Sequence, residues 1–143
     1  MTKVPKYWNK AKKYLSKKDK TISRLIKNYK SPDEVILTSR KDIFFSLCKS
    51  IIGQQISVAA ANAVFLKFKL KCGNKINANV VSKLTTSQLR SCGLSRQKIS
   101  GIKNLSKKIL DKSFNPKLIG KMNDEEAIIY LSSLKQIGRW SAE

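Results

Sequence analysis

Apolar residues in this sequence recur at the spacing of an α-helix. One stripe has members at i, i+1, i+4, i+5, i+8 and i+9, namely Ile43, Phe44, Leu47, Cys48, Ile51 and Ile52. This spacing places all of them on one broad face of a helix, with polar residues on the other side. A second stripe is formed by Ile99, Ile102, Leu105 and Ile109. The sequence contains no alternating pattern long enough to indicate a strand, so it predicts an all-α fold.

Helix starts can be placed from capping residues. Ser57 and Ser95 are expected to precede helices as N-caps. Asn123 is followed three residues later by Glu126, which is the pattern of a capping box ahead of an apolar run. We therefore expect seven or eight helices of ordinary length, joined by short loops, in one compact domain over residues 1–143.

The charge balance favours a polyanionic partner. Thirty Lys and Arg residues against nine Asp and Glu residues give a formal net charge of +21. Such a surface repels itself unless a polyanion neutralises it, which makes nucleic acid the leading partner. Lysines that only solvate polar faces would give the same balance, so charge alone leaves both interpretations open.

Several classes of site are disfavoured by composition. The three cysteines are widely spaced without a CxxC pair, and histidine is absent. This argues against a disulfide framework, against zinc or iron–sulfur sites and against Ser/His catalysis, and no cofactor is expected. We find neither the apolar run of a signal peptide nor about twenty apolar residues for a membrane helix. The sequence thus predicts an intracellular, cytoplasmic protein without a membrane partner.

Two adjacent glutamines interrupt the helical pattern. In SIIGQQISVAAA (residues 50–61), Gly53 permits a sharp turn, and Gln54 and Gln55 follow it. Buried amides need hydrogen-bond partners, so these side chains suit contacts to bases or sugars. The alternative, which this stretch taken alone favours, is that Gln54 and Gln55 simply cap the two flanking helices.

The closing segment, LKQIGRWSAE (residues 134–143), predicts a helical hairpin. A tight apolar turn with Gly138 would aim free backbone N–H groups outward and form an anion site, flanked by the positive charges of Lys135 and Arg139. The alternative is an ordinary helix–helix corner in which Trp140 belongs to the core.

Four blocks together resemble a known family. YWNKA (residues 7–11), IIGQQIS (51–57), LRSCGLSRQKI (89–99) and LKQIGRWSAE (134–143) are similar, in order and spacing, to the DNA-3-methyladenine glycosylase II family. That family belongs to the helix–hairpin–helix, Gly/Pro–Asp superfamily of base excision glycosylases. The resemblance implies an all-α, monomeric enzyme that binds double-stranded DNA containing alkylated bases, flips out an alkylated purine and removes it by hydrolysis.

The resemblance also implies roles for individual residues. A hairpin that grips a DNA phosphate through main-chain amides, often with a bound monovalent cation, corresponds to Leu134, Lys135, Gln136, Ile137, Gly138, Arg139 and Ser141. The loop that fills the gap left by the flipped nucleotide corresponds to Gln54, Gln55 and Ser57, with Gln55 as the better candidate for the wedge. Trp140 would lie near the base pocket, where its ring face would attract a positively charged alkylated purine.

Two departures from the family pattern bear on activity. The hairpin usually carries glycine where this chain has Gln136, and a positive φ there would strain a glutamine. The family's catalytic aspartate corresponds to a position beyond Glu143, and neither Asp111 nor Asp124 matches it. The expectation is therefore an N-terminal part of a glycosylase, truncated within the second hairpin helix, incomplete at its C-terminus and inactive alone.

Three other functions stay open at this point. The chain could be a non-enzymatic helix–hairpin–helix DNA-binding module, or a glycosylase of a sister family that acts on oxidised bases or mismatched adenine. It could also be a basic helical RNA-associated protein. A preference for duplex DNA with an abasic-site analogue would separate a glycosylase from an RNA-binding protein.

Overall fold

The computed structural model describes residues 6–29 and 42–143, which belong to two units, Met1–Lys41 and Asp42–Glu143. In the first unit, α1 (Trp8–Lys18) and α2 (Lys20–Asn28) meet at one residue. Asp19 has an extended backbone that ends α1, and its carboxylate accepts a hydrogen bond from the Ile22 amide at 2.9 Å. The same residue therefore stops one helix and caps the next.

The second unit is built from seven further α-helices within the described residues. They are α3 (Ile43–Gly53), α4 (Val58–Lys71), α5 (Ala78–Lys83), α6 (Thr86–Ser91), α7 (Arg96–Leu110), α8 (Asp124–Ser132) and α9 (Arg139–Ala142), with a 3-10 helix over Pro116–Lys121. The predicted all-α fold class is confirmed. The expected number of helices was too low, because α5, α6 and α9 are only four to six residues long and show no clear periodicity. Within the described ranges, no helix is long and apolar enough to cross a membrane.

The predicted helix starts are confirmed in detail. The Ser57 hydroxyl accepts a hydrogen bond from the Ala60 amide at 3.2 Å, and Ser95 accepts one from Lys98 at 3.3 Å. At α8, Asn123 and Glu126 form a reciprocal capping box with distances of 2.9 and 3.0 Å. Each of these caps satisfies amides that the helix itself leaves unpaired.

The core of the second unit lies where α7 packs against α3 and α5. Ile51, Ile52 and Ile102 are fully buried, and Leu105 is 1% exposed. Burying each such side chain contributes about 1.5–3 kcal/mol relative to leaving it exposed. From α7, the Lys98 ammonium also donates a 2.8 Å hydrogen bond to the Ile52 carbonyl, near the end of α3. Both apolar packing and a polar contact therefore fix the C-terminal end of α3, where the next loop begins.

The three cysteines are free and buried. Burial raises the pKa of each thiol, that of Cys72 to about 11. At neutral pH these side chains are therefore protonated and poorly nucleophilic, and they act as small apolar core residues. Whether residues 1–143 form a single domain stays a prediction.

Candidate nucleic-acid interface

The loop between α3 and α4, here called the glutamine loop (residues 54–57), separates its two glutamines. Gln54 is partly buried and its side chain bonds to another part of the chain, whereas Gln55 is exposed and has a left-handed φ of 56°. Gln54 is the C-cap residue of α3, but its side chain bonds to Gln136 and Ser141 instead of to the end of that helix, and Ser57 caps α4. The capping interpretation therefore holds for the position of Gln54 and not for Gln55. The loop presents one free amide side chain outward and keeps the other for an internal contact.

The segment from residue 134 to residue 141, here called the hairpin segment, turns the chain between α8 and α9. The side chains of Leu134 and Ile137 are each 3% exposed and anchor the turn in the core. The Ile137 amide donates to the Leu134 carbonyl at 3.1 Å, which closes the turn. The left-handed residue is Gln136, with a φ of 70°, whereas Gly138 has an ordinary φ of −90°. The strain expected for a glutamine at this position is thus present.

Three consecutive amides of the hairpin segment are free. Within the part of the chain that the structure describes, the N–H groups of Gly138, Arg139 and Trp140 donate to no acceptor. All three residues are exposed, and a side chain at Gly138 would meet nothing within 4 Å. The Ile137 amide is used inside the turn. An anion site at this turn would therefore use the amides of residues 138–140 rather than that of Ile137.

The glutamine loop and the hairpin segment lie against each other. The Gln54 side-chain amide donates to the Gln136 carbonyl at 2.7 Å and to the Ser141 hydroxyl at 3.4 Å. An open cleft of about 570 Å³ lies between them, lined by Ser50, Gly53, Gln54, Gln55, Trp140 and Ser141. The structure thus brings together four residues that the sequence singled out in two distant segments. Ser57 does not line this cleft, and its hydroxyl serves as the α4 cap.

Trp140 is not a core residue. It is 90% exposed and borders the cleft. The interpretation of the hairpin as an ordinary corner with a buried tryptophan is therefore wrong. An exposed indole beside polar amides provides an apolar face on which a planar group could stack.

The positive charge at the hairpin differs from the sequence prediction. The Arg139 guanidinium makes two parallel hydrogen bonds to the Glu125 carboxylate, at 2.7 and 2.8 Å, and a third to Glu143 at 2.9 Å. The hydrogen bond from Arg139 lowers the pKa of the Glu125 carboxyl. Because Arg139 is neutralised by two acids, the free cation at this turn is Lys135, which is exposed and forms no ion pair with any described residue.

Backbone carbonyls are the groups here that could hold a cation. The Gln136 carbonyl already accepts the Gln54 amide, and the Ser133 carbonyl accepts the Lys108 ammonium at 3.3 Å. The Ile137 carbonyl accepts no hydrogen bond from a described residue, which fits a monovalent cation at the turn. Among the described residues, no group of three or more His, Cys, Asp or Glu side chains could hold a metal ion.

Two residues of this region were not predicted. A Cβ added at Gly101 of α7 would lie 2.9 Å from the Gln136 Cγ and 3.2 Å from the Lys135 carbonyl oxygen, so the hairpin approaches α7 where a side chain is missing. A glycine inside an amphipathic helix often has such a packing reason and could have been noticed. Glu125 lies 14 residues before its partner Arg139, and the sequence gives no signal for that pair.

Comparison with known proteins adds a family and several relatives. Residues 48–139 match the model of the HhH-GPD superfamily base excision DNA repair protein. The chain is 29% identical over 140 residues to DNA-3-methyladenine glycosylase 1 of Schizosaccharomyces pombe, covering 94% of this chain and 60% of that protein. The chain thus spans less than two thirds of the length of this curated relative.

Two solved structures have a similar fold. One is the 3-methyladenine DNA glycosylase (Mag1) of Schizosaccharomyces pombe in complex with abasic DNA, with a TM-score of 0.78 and 27% identity over 93% of this chain and 66% of that one. The other is the 3-methyladenine DNA glycosylase of Archaeoglobus fulgidus, with a TM-score of 0.71 and 26% identity over 96% of this chain and 54% of that one.

Proposed function

Because the chain belongs to the HhH-GPD superfamily of base excision DNA repair proteins, we propose that it serves as the DNA-binding scaffold of an N-glycosylase of the 3-methyladenine type. Such an enzyme flips an alkylated purine out of double-stranded DNA and hydrolyses its glycosidic bond. The names of the curated relative in Schizosaccharomyces pombe and of the two similar structures support this substrate class.

One observation carries the proposal, namely that the hairpin segment with its free amides lies against the glutamine loop, and that Trp140 lines the cleft between them. Backbone N–H groups at a turn bind phosphate oxygens, and such contacts position a protein on the duplex without reading its sequence. Among the described residues, the amides of Gly138, Arg139 and Trp140 have no acceptor, and Lys135 adds a positive charge that no described acid pairs with. In the proposed complex, the hairpin segment holds one backbone phosphate beside the nucleotide that leaves the stack.

Gln55 and Trp140 would act on the nucleotide itself. Gln55 is exposed, its backbone has a positive φ of 56°, and no described residue binds its side chain. These properties suit a wedge that fills the gap in the duplex. Extruding a base costs a few kcal/mol, and least for damaged or weakly paired bases. The exposed Trp140 ring would offset part of that cost by stacking on the extruded purine.

Hydrolysis needs a carboxylate that the cleft does not supply. Among the described residues that line it, none carries an acid. Asp111 lines a separate cleft on α7, and Asp124 lies in the first turn of α8. In the family that the sequence resembles, an aspartate stabilises the oxocarbenium-like sugar and assists water. We therefore expect residues 1–143 to bind damaged duplexes without releasing a base.

The test is a binding titration of the 143-residue chain. Fluorescence anisotropy would compare a duplex that contains a tetrahydrofuran abasic analogue with the intact duplex and with single-stranded RNA of equal length. We expect the abasic duplex to bind tightest. The Lys135→Ala variant should bind every duplex more weakly. The slope of log affinity against log salt concentration should become shallower by about one unit. The matched variant Lys83→Ala, on the exposed face of α5, removes the same charge away from the cleft.

Two outcomes would contradict the proposal. If the chain binds RNA more tightly than the abasic duplex, or if Lys83→Ala weakens binding as much as Lys135→Ala, the hairpin segment is not the duplex-binding site. Release of 3-methyladenine by the purified chain would leave the glycosylase assignment intact. It would, however, show that a carboxylate within residues 1–143 assists hydrolysis.

A non-enzymatic DNA-binding module is the second candidate. The absence of a carboxylate among the described residues that line the cleft is the observation that favours it. Such a module has no reason to prefer an abasic analogue, so equal affinity for the abasic and the intact duplex would support it.

A further inference from the structure

We propose that Gln54 is a positioning residue for the hairpin segment. By donating to the Gln136 carbonyl, it holds Gln136 in the left-handed conformation and so fixes the direction of the free amides of residues 138–140. The consequence for DNA binding rests on the proposed function, whereas the structural coupling of Gln54 to the hairpin segment is independent of that function.

Gln136 needs such a restraint. A left-handed φ is uncommon for residues other than glycine, and it persists only where surrounding contacts over-determine it. At Gln136 the φ is 70°. Without a restraint, the peptide after this residue would relax, and the amides that follow would turn with it.

Two contacts supply the restraint. On one side, the Gln54 side chain donates to the Gln136 carbonyl over 2.7 Å, a short distance for an N–H···O bond. On the other side, the Gln136 side chain packs over Gly101, where an added Cβ would lie 2.9 Å from Cγ and 3.0 Å from Cβ. The missing side chain at Gly101 leaves room for the glutamine, and Gln54 holds its carbonyl.

Gln54 also contacts the far side of the free amides. Its side chain lies 3.4 Å from the Ser141 hydroxyl, so it bonds to Gln136 and Ser141, which lie on both sides of residues 138–140. Gln54 itself is well anchored, because Ile51 and Ile52 are fully buried and the Ile52 carbonyl accepts the Lys98 ammonium. The rigid end of α3 is thereby connected directly to the hairpin segment.

The first experiment is a double-variant cycle in binding. Gln54→Met keeps the length of the side chain and removes its donor. We expect this variant to weaken binding of the tetrahydrofuran-containing duplex about tenfold, the effect of losing one hydrogen bond that satisfied a partly buried carbonyl. Gln136→Gly in the same chain should restore the affinity to within about threefold, because glycine adopts a positive φ without strain. Gln97→Met, an exposed substitution in the first turn of α7, is the matched control and should change nothing.

The second readout needs no DNA. In ¹H–¹⁵N NMR spectra, Gln54→Met should shift the amide signals of Gly138, Arg139 and Trp140, and adding Gln136→Gly should return them towards the wild-type positions. If the Gln54→Met chain does not fold, Gln54→Asn replaces it, since its shorter side chain also withdraws the donor. Unmoved amide signals, or a failure of glycine at position 136 to restore them, would overturn the proposal. If the wild-type chain binds no abasic duplex, the proposed function fails while the NMR cycle still decides the role of Gln54.

Discussion

The interior around α3 and α7 and the cleft at their edge are stabilised in different ways. In the interior, Ile51, Ile52 and Ile102 are fully buried and belong to one hydrophobic core cluster. In the cleft, Trp140 is 90% exposed, two glutamines have a left-handed backbone, and one 2.7 Å hydrogen bond connects the two segments. The stable interior allows the cleft to keep strained backbone and unpaired amides, which a less stable scaffold would lose.

The largest expected effect is on stability and comes from the interior. Ile102→Ala removes a fully buried side chain and should lower the free energy of unfolding by about 2–5 kcal/mol, because it leaves a cavity. Urea unfolding followed by circular dichroism measures this change. Val58→Ala is the control, since Val58 is 79% exposed and should change stability by less than about 0.5 kcal/mol. Equal losses in the two variants would remove the distinction between interior and surface.

Trp140→Ala should leave stability almost unchanged and weaken DNA binding, in contrast to Ile102→Ala. Because the ring is exposed, the free energy of unfolding should change by less than about 0.5 kcal/mol. Binding of a duplex that contains an alkylated purine should weaken by about 1–3 kcal/mol, the range for loss of one base–aromatic stack. Tyr14→Ala, at a 61% exposed tyrosine of α1, is the control for nonspecific loss of an aromatic side chain. A loss of stability without a loss of affinity would assign Trp140 to the fold rather than to the cleft.

A smaller effect is expected at the ion pair beside the hairpin. Glu125→Gln releases Arg139 from its main partner, so the guanidinium becomes available to a phosphate. Duplex affinity should rise a few-fold, and the salt dependence should steepen by about one unit of slope. Asp124→Asn changes the net charge equally in the same turn of α8 without releasing Arg139, and it should raise affinity less. Identical effects of the two variants would indicate a general charge effect.

The same pair gives a pH dependence with a defined sign. The hydrogen bond from Arg139 lowers the pKa of the Glu125 carboxyl in the folded chain. Its contribution to stability is therefore present above the unfolded pKa of a glutamate, about 4.3, and is lost as the pH falls through the lower folded pKa. The difference in melting temperature between the wild type and Glu125→Gln should shrink over that acidic window and stay constant at neutral pH.

Local sequence patterns predicted most of the helical scaffold. The stripe on α3, the stripe on α7 and the caps at Ser57, Ser95 and Asn123 all lie where the pattern indicated, because each depends only on neighbours within a few residues. The short helices α5 and α6 were not predicted individually. Six residues are too few to show a helical period, although Thr85 and Gln88 form a capping box at α6.

The contacts that shape the cleft could not be predicted in the same way. Gln54 and Gln136 are 82 residues apart, and nothing local to either residue indicates that they meet. The sequence did identify Gln136 as unusual, because the resembling family has glycine there, and the positive φ confirms the expected strain. What the sequence did not reveal is how that strain is accommodated, since this depends on the approach of Gly101.

The close fit of Gly101 against Gln136 has a consequence for how this protein can vary. The turn carries the Gln136 side chain where the family usually has glycine, and the facing helix α7 has a glycine at position 101. The residues at positions 136 and 101 therefore share one limited volume. A larger residue at position 101 fits only if the side chain at position 136 is shortened or removed. The Lys135 carbonyl still limits the size of any residue at position 101. Substitutions at the two sites therefore have interdependent effects, and descendants of this sequence should change them as a pair.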